Sequence, residues 1–201
     1  MPQAPAAVFA DSLTRRFGPV EAVRGVSFSV AQGEIFGLVG PDGAGKTTIM
    51  RMLAGVLSPD AGKIALDGID VRDDPERAKL HLSYMPQRFG LYEDMTVAEN
   101  IFFYATLFAV SGKERRERSA QLLAAAGLGE FGHRLAGQLS GGMKQKLGLV
   151  CALIHTPRVL LLDEPTTGVD PVSRRDFWAI LYELLPGMPA DARIALLPAG
   201  R

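Results

Sequence analysis

The stretch EIFGLVGPDGAGKTTIM, residues 34–50, constrains the fold more than any other part of this chain. EIFGLVG reads as a buried strand that runs straight into a glycine loop, and a helix from about Lys46 to Val56 should follow. GPDGAGKT fits G-x-x-x-x-G-K-[ST], and a strand before it with a helix after it is the context a phosphate-cradling loop requires. An ordinary glycine turn would match the string without that setting. Gly40, Gly43 and Gly45 let backbone N–H groups turn toward phosphate oxygens, Pro41, Asp42 and Ala44 fill out the loop, and the helix N-terminus adds its positive end. Lys46 is placed to neutralise the β and γ phosphates, Thr48 belongs to the same first turn, and Thr47 offers a hydroxyl to Mg²⁺, a cation that prefers hard oxygen ligands.

Two further stretches carry chemistry. RVLLLDEP, residues 158–165, is an apolar run that delivers two carboxylates at a strand's end. Asp163 is placed to hold Mg²⁺, directly or through water, and Glu164 to orient and deprotonate an attacking water. Two solvated acids in a turn would be the blander reading, and the phosphate loop argues against it. LSGGMKQKL, residues 139–147, sets Ser140, Gly141 and Gly142 at the opening of a polar helix, which makes a second cradle for an anion. One chain then holds two such cradles.

Around these motifs the pattern is that of an α/β protein. VSFSV (26–30) alternates as a half-buried strand, turn chemistry surrounds a short strand in LSPDAGKIALDG, and HLSYM (81–85) is a candidate for another. Thr96 with Glu99 and Ser111 with Glu114 form S/T-x-x-E capping boxes, which start helices of about 97–109 and 112–126. KERRERS (113–119) reads as the solvated face of the second helix, and Phe102, Phe103, Tyr104 and Phe108 as core and groove lining.

Composition narrows the function classes. The 201 residues suit one main core, and 22 basic residues balance 22 acidic ones, so no field draws nucleic acid or an anionic membrane to the chain. The single cysteine, Cys151, lies in an apolar run and reads as a small buried side chain in a reducing compartment. IFFYATLFAV (101–110) is about half the length a membrane-crossing helix needs, and the start MPQAPAAVFADS lacks the features of a secretion signal, so a cytoplasmic location is expected.

Taken in order, GPDGAGKTT, YMPQ with Gln87, LSGGMKQKL and LLLDEPTTGVD resemble the ATP-binding cassette of ABC transporters over roughly residues 8–185. The resemblance implies a P-loop NTPase fold of mixed or parallel sheet, with an N-terminal antiparallel β region and a helical insert at about 88–155, all in a single ATPase domain spanning 1–201. It implies ATP and Mg²⁺ as cofactors and a head-to-tail dimer of cassettes. In that dimer Ser140, Gly141, Gly142 and Gln145 of one subunit cover the nucleotide on the other, which would explain the second cradle. Phe17 falls where the family stacks an aromatic on adenine, Gln87 where it touches Mg²⁺ and senses the membrane partner, and Asp170 where it shapes the dimer contact. The stretches around GLYEDMTVAENIFFYA and GMKQKLGLVCALIHTPRVLLLDEP are most similar to bacterial ABC-2 type drug exporters, whose partners are transmembrane permease subunits at the inner face of the cell membrane.

The family usually carries a histidine after a further strand, and here RIALL is followed by Pro198, Ala199, Gly200 and Arg201. His81, His133 and His155 all precede the acids and read as structural or surface residues. A divergent tail at 186–201, by truncation, frameshift or degeneration, is therefore expected, with ATP hydrolysis in doubt. The rival expectations are a cassette that binds ATP and completes a partner's site, and a soluble ABC ATPase acting on the ribosome.

Overall fold

A computed structural model describes residues 6–184 and the backbone of 195–199; the remainder of the tail expected at 186–201 lies outside the described residues. The chain divides into two compact units. One comprises residues up to Tyr84, Pro157–Glu164 and the strand at 195–199, and the other comprises Met85–Thr156 and Pro165 onward.

The first unit begins with two long antiparallel strands, β1 (Ala6–Phe17) and β2 (Val20–Ala31), which continue through β4 (Ala61–Leu66) and β5 (Ile69–Asp70) in the order β2-β1-β4-β5. The VSFSV segment is thus the end of a longer strand. A register shift in β1 between Ala10 and Leu13 falls at Ser12, whose positive φ of 51° turns its N–H onto Ser27 Oγ at 2.7 Å. Asp60 fastens β1 to the turn before β4: Oδ1 accepts from Arg15 Nη1 and Oδ2 from the Arg16 N–H, each at 2.7 Å. Between β4 and β5, Asp67 and Gly68 both have positive φ, the backbone a two-residue hairpin demands. The Asp67 carboxylate then takes His81 Nδ1 at 2.8 Å and Arg158 Nη1 at 2.5 Å, which gives His81 its structural role.

The second sheet of this unit has the order β3-β8-β7-β6, made of β3 (Ile35–Val39), β6 (Leu82–Met85), β7 (Val159–Leu162) and β8 (Ala195–Ala199). β8 runs parallel to both β3 and β7, and Pro198 stands opposite Leu38 in its register. All four residues of β7 are fully buried. β3 differs from the buried strand expected of it. It is an edge strand among the described residues, with Phe36 and Leu38 packed against the core while Ile35 and Val39 are 44% and 75% exposed. Helix α1 (Lys46–Leu53) gives Met50, Met52 and Leu53 to a core shared with Val8, Leu13 and Val30 of the antiparallel sheet and Val159 and Leu161 of β7. The short α2 (Pro75–Leu80) is capped by Asp74, which accepts from the Arg77 N–H.

The second unit is helical: α3 (Val97–Leu107), α4 (Gly112–Ala125), α5 (Gly141–Leu153) and α6 (Pro171–Leu184). Buried Leu147, Leu149 and Val150 make α5 its centre, and α3, α4 and α6 each pack against that helix. The Thr96 capping box forms in full, with the Glu99 N–H donating to Thr96 Oγ1 and the Thr96 N–H donating to Glu99 Oε2. Only half of the Ser111 box forms. Ser111 Oγ accepts from the Glu114 N–H, while the Glu114 carboxylate turns one helical turn onward to pair with Arg118 at 3.3 Å. Asn100, fully buried, holds the preceding loop by accepting from the Tyr92 N–H at 2.9 Å and donating to the carbonyls of Tyr92 and Thr96. Phe102 is 51% exposed and lines a surface groove with Ile101, Arg115 and Leu123, the Arg115 guanidinium lying 4.5 Å from its ring centroid. Cys151 is buried, which pushes its thiol well above the usual range and leaves it inert. His155 stacks on Phe108 with centroids 3.6 Å apart, and His133 is exposed.

Candidate functional site: the phosphate loop and its carboxylate

The loop from Gly40 to Gly45 joins β3 to α1 and is closed by the Ala44 N–H donating to the Pro41 carbonyl at 3.1 Å. Gly45, at φ 87°, caps α1 without any side-chain hydrogen bond, and no acid occupies the first turn. The N–H groups that open the helix are therefore left for a ligand, with the positive end of the helix behind them. Gly45 also abuts β2: a Cβ there would collide with the Ala22 carbonyl oxygen. Lys46 is only 8% exposed, and its Nζ donates to the carbonyls of Gly40 at 2.8 Å and Pro41 at 3.0 Å. A buried ammonium whose partners among the described residues are all neutral carbonyls is primed for an anion, because carbonyl dipoles offset less of its desolvation than a phosphate charge would. Asp42 and Ala44 are exposed in the loop, and Thr48 is half-buried in the first turn.

Asp163 stands at the C-terminal end of β7 and is 2% exposed. Its two oxygens are taken separately: Thr47 Oγ1 donates to Oδ1 and the Tyr84 phenol donates to Oδ2, each at 3.0 Å. Thr47 and Asp163, each expected separately at Mg²⁺, are thus brought together from α1 and the end of β7. Two hard oxygen donors beside a phosphate cradle suit Mg²⁺, which is commonly held by few protein ligands plus substrate phosphates. The described residues contain no group of three or more His, Cys, Asp or Glu side chains that could hold a metal by themselves. Tyr84 has its phenol pushed up to about 12, first by burial and then by the Asp163 charge and hydrogen bond, with Arg51 pulling the other way. It is a neutral donor at any physiological pH.

Glu164 follows at φ 48°, a left-handed backbone that costs a residue with a side chain about 1–3 kcal/mol and tends to be kept where function requires it. Phe17 ends β1 and is 47% exposed, its ring 5.0 Å from the Arg15 guanidinium, so one aromatic face is already used by a cation. The first unit also contains a cavity of about 550 Å³, lined by Met52, Lys63, Asp70, Arg72 and Lys79 among others, and no loop residue reaches it. The phosphate cradle itself is an open surface.

The remaining expected residues belong to the second unit. Gln87 is exposed just after β6. Ser140 caps α5, its Oγ accepting from the Met143 N–H at 3.3 Å, and Gly141 is exposed with open space where a side chain would be. Gly142 is buried against Ser173, which a Cβ would strike. Gln145 keeps a buried Oε1 that finds no hydrogen-bond partner among the described residues. Asp170 caps α6 through Oδ1, which accepts from the N–H groups of Val172 at 3.1 Å and Ser173 at 2.9 Å, and the Ser173 N–H holds its carboxyl below the usual range. Ion pairs brace α5: Lys144 to Glu93 at 2.7 Å and Lys146 to Asp176 at 3.0 Å.

The residue that sequence reasoning passed over is Tyr84. It sits inside the quoted YMPQ string, yet nothing local marks it as the partner of a carboxylate 79 residues away.

A glycine cradle at a helix start, with a threonine hydroxyl tied to a carboxylate on a nearby strand, defines a phosphate-loop nucleotide-binding protein. Within that class the chain belongs to the ABC transporter family, whose model matches residues 23–167. It is 51% identical to the probable multidrug ABC transporter ATP-binding protein YbhF of Escherichia coli K12 over 89% of this chain and 31% of that protein. It is 44% identical to the Nod factor export ATP-binding protein I of Burkholderia orbicola over 87% of this chain and 57% of that one. The linearmycin resistance ATP-binding protein LnrL of Bacillus subtilis is 37% identical over 87% of this chain and 56% of its own length. The chain thus spans about a third to just over half of these curated relatives. A solved structure of the ATP-binding subunit of an ABC transporter superposes with a TM-score of 0.83 at 29% identity, covering 96% of this chain and 79% of that one. The fold is accordingly that of ABC ATP-binding subunits, and no described helix is long and apolar enough to cross a membrane.

Proposed function

We propose that this chain is the ATP-binding and ATP-hydrolysing cassette of an ABC-2 type exporter, held on the cytoplasmic face of the membrane by permease subunits that select the cargo. The observation that carries the reading is the 3.0 Å contact of Thr47 with the buried Asp163, beside a Lys46 whose Nζ donates to the carbonyls of Gly40 and Pro41. The names of the relatives, multidrug, Nod factor export and linearmycin resistance, point the same way. The equal numbers of basic and acidic residues give no reason to add a nucleic acid partner.

In this reading the loop N–H groups bind phosphate, Lys46 leaves the carbonyls of Gly40 and Pro41 for it, and Phe17 offers a face to adenine. Thr47 and Asp163 would hold Mg²⁺, which when bound would supply charge neutralisation at the β and γ phosphates. Glu164 orients the attacking water and accepts its proton. Ser140, Gly141, Gly142 and Gln145 cover the nucleotide of a second cassette, and Asp170 shapes that contact. Closing on ATP and reopening after hydrolysis would switch the permease by differential affinity for its two states.

Steady-state ATP hydrolysis and nucleotide binding by the purified chain test the proposal. Glu164→Gln should retain ATP binding and lose about a hundred- to ten-thousandfold in turnover. Turnover that survives the substitution would remove Glu164 from the chemistry. Binding without turnover in the unsubstituted chain would leave only the binding role.

A further inference from the structure

The Asp163 carboxylate has two oxygens, and the structure gives them different neighbours. Oδ1 faces the Thr47 hydroxyl and Oδ2 the Tyr84 phenol, both at 3.0 Å. Thr47 lies in the phosphate loop's own helix, so its hydroxyl is part of the ligand site. Tyr84 comes from β6 and approaches from elsewhere in the same unit. It is half-buried, and its ring is fixed by a strand whose other three residues are buried. The phenol cannot readily leave Oδ2, because that oxygen, 2% exposed, would lose its only donor among the described residues.

We propose that Tyr84 is a positioning residue of the metal site: by occupying Oδ2 it fixes the plane of the Asp163 carboxylate and leaves Oδ1 as the single oxygen shared between Thr47 and a divalent cation. The inference rests on the reading of Asp163 as a metal-binding group and adds to it the reason that group presents one oxygen rather than two. Hydrogen-bond partners that orient metal-binding carboxylates typically govern metal affinity, and a carboxylate free to rotate would offer the cation a less defined site.

Tyr84→Phe removes the hydroxyl and keeps the ring. The test measures Mn²⁺ binding to the purified full chain in the presence of a non-hydrolysable ATP analogue, read by the electron paramagnetic resonance of free Mn²⁺. It also measures affinity for the same analogue in EDTA. Tyr84→Phe should weaken Mn²⁺ binding by about ten- to a hundredfold while the affinity for metal-free analogue is unchanged. Unaltered Mn²⁺ binding would overturn the proposal. So would an equal loss with and without metal, because that is what a merely structural tyrosine would produce. Asp163→Asn serves as the control: if it keeps wild-type Mn²⁺ affinity, the reading of Asp163 itself fails, whereas loss in Asp163→Asn with none in Tyr84→Phe rejects only the positioning role.

Discussion

A methyl group added at position 45 has nowhere to go. Gly45 holds φ at 87°, and the Cβ of an alanine would run into the Ala22 carbonyl oxygen of β2. The left-handed backbone alone costs a residue with a Cβ about 1–2 kcal/mol, and relieving the clash must shift the loop away from β2. Gly45→Ala should therefore lower the melting temperature and also shrink the further rise that ATP produces, both read in one thermal unfolding series with and without nucleotide. Gly43 has a similar φ of 78° but open space around it, so alanine there should meet the backbone cost without the collision. Glu164 is the opposite case, a residue with a side chain kept at φ 48°. Strain of this kind beside Asp163 supports the role proposed for Glu164.

At the scale of an element, α3 shows how much a helix start can be made to depend on pH. The Thr96 hydroxyl and the Glu99 carboxylate satisfy each other's backbone N–H groups. The hydrogen bonds from Thr96 hold the Glu99 carboxyl below its ordinary value of 4.5. A carboxyl depressed on folding contributes stability that is present above its unfolded pKa and is lost as pH falls through the lower, folded one. Thr96→Ala should cost about 1 kcal/mol at neutral pH, the usual worth of a threonine cap. The gap from wild type in chemical denaturation should narrow as pH drops below about 4.5, where the unsubstituted cap is itself losing its carboxylate. A gap that stays constant down to acid pH would show that Glu99 adds nothing to the cap.

For the whole molecule the proposed function draws on two anion cradles, one at Gly40–Thr47 in the first unit and one at Ser140–Gly142 in the second. If two chains sandwich two nucleotides, ATP should convert Glu164→Gln protein from monomer to dimer in size-exclusion chromatography. Gly141→Asp is a clean probe of that arrangement, because Gly141 is exposed and a side chain there meets nothing within its own chain. The added carboxylate would face the phosphates delivered by the partner. It should abolish the ATP-dependent dimer and leave ATP binding by each isolated chain intact. A dimer that forms regardless of the charge would place the second cradle outside the interface.

The sequence by itself determined the features that act through neighbouring residues. The glycine loop before α1, the Thr96 cap, the turn chemistry around the strand in LSPDAGKIALDG and the acids ending β7 each need only a few consecutive residues to set backbone angles or donor directions, and all were legible in the string. Tertiary structure alone decided which side chains meet. The link from Thr47 to Asp163 spans 116 residues and that from Tyr84 to Asp163 spans 79, so both depend on which strands become neighbours. Asn100 is another such case: a polar residue on an apolar helix face became the clamp of the 92–96 loop only once that loop had folded over it. The edge position of β3 likewise turned an apolar run, read as fully buried, into a strand with one face on the core and the other exposed. Local motifs fix backbone direction within a turn or two, whereas long-range pairings and burial are properties of the sheet order, which no short stretch of residues encodes.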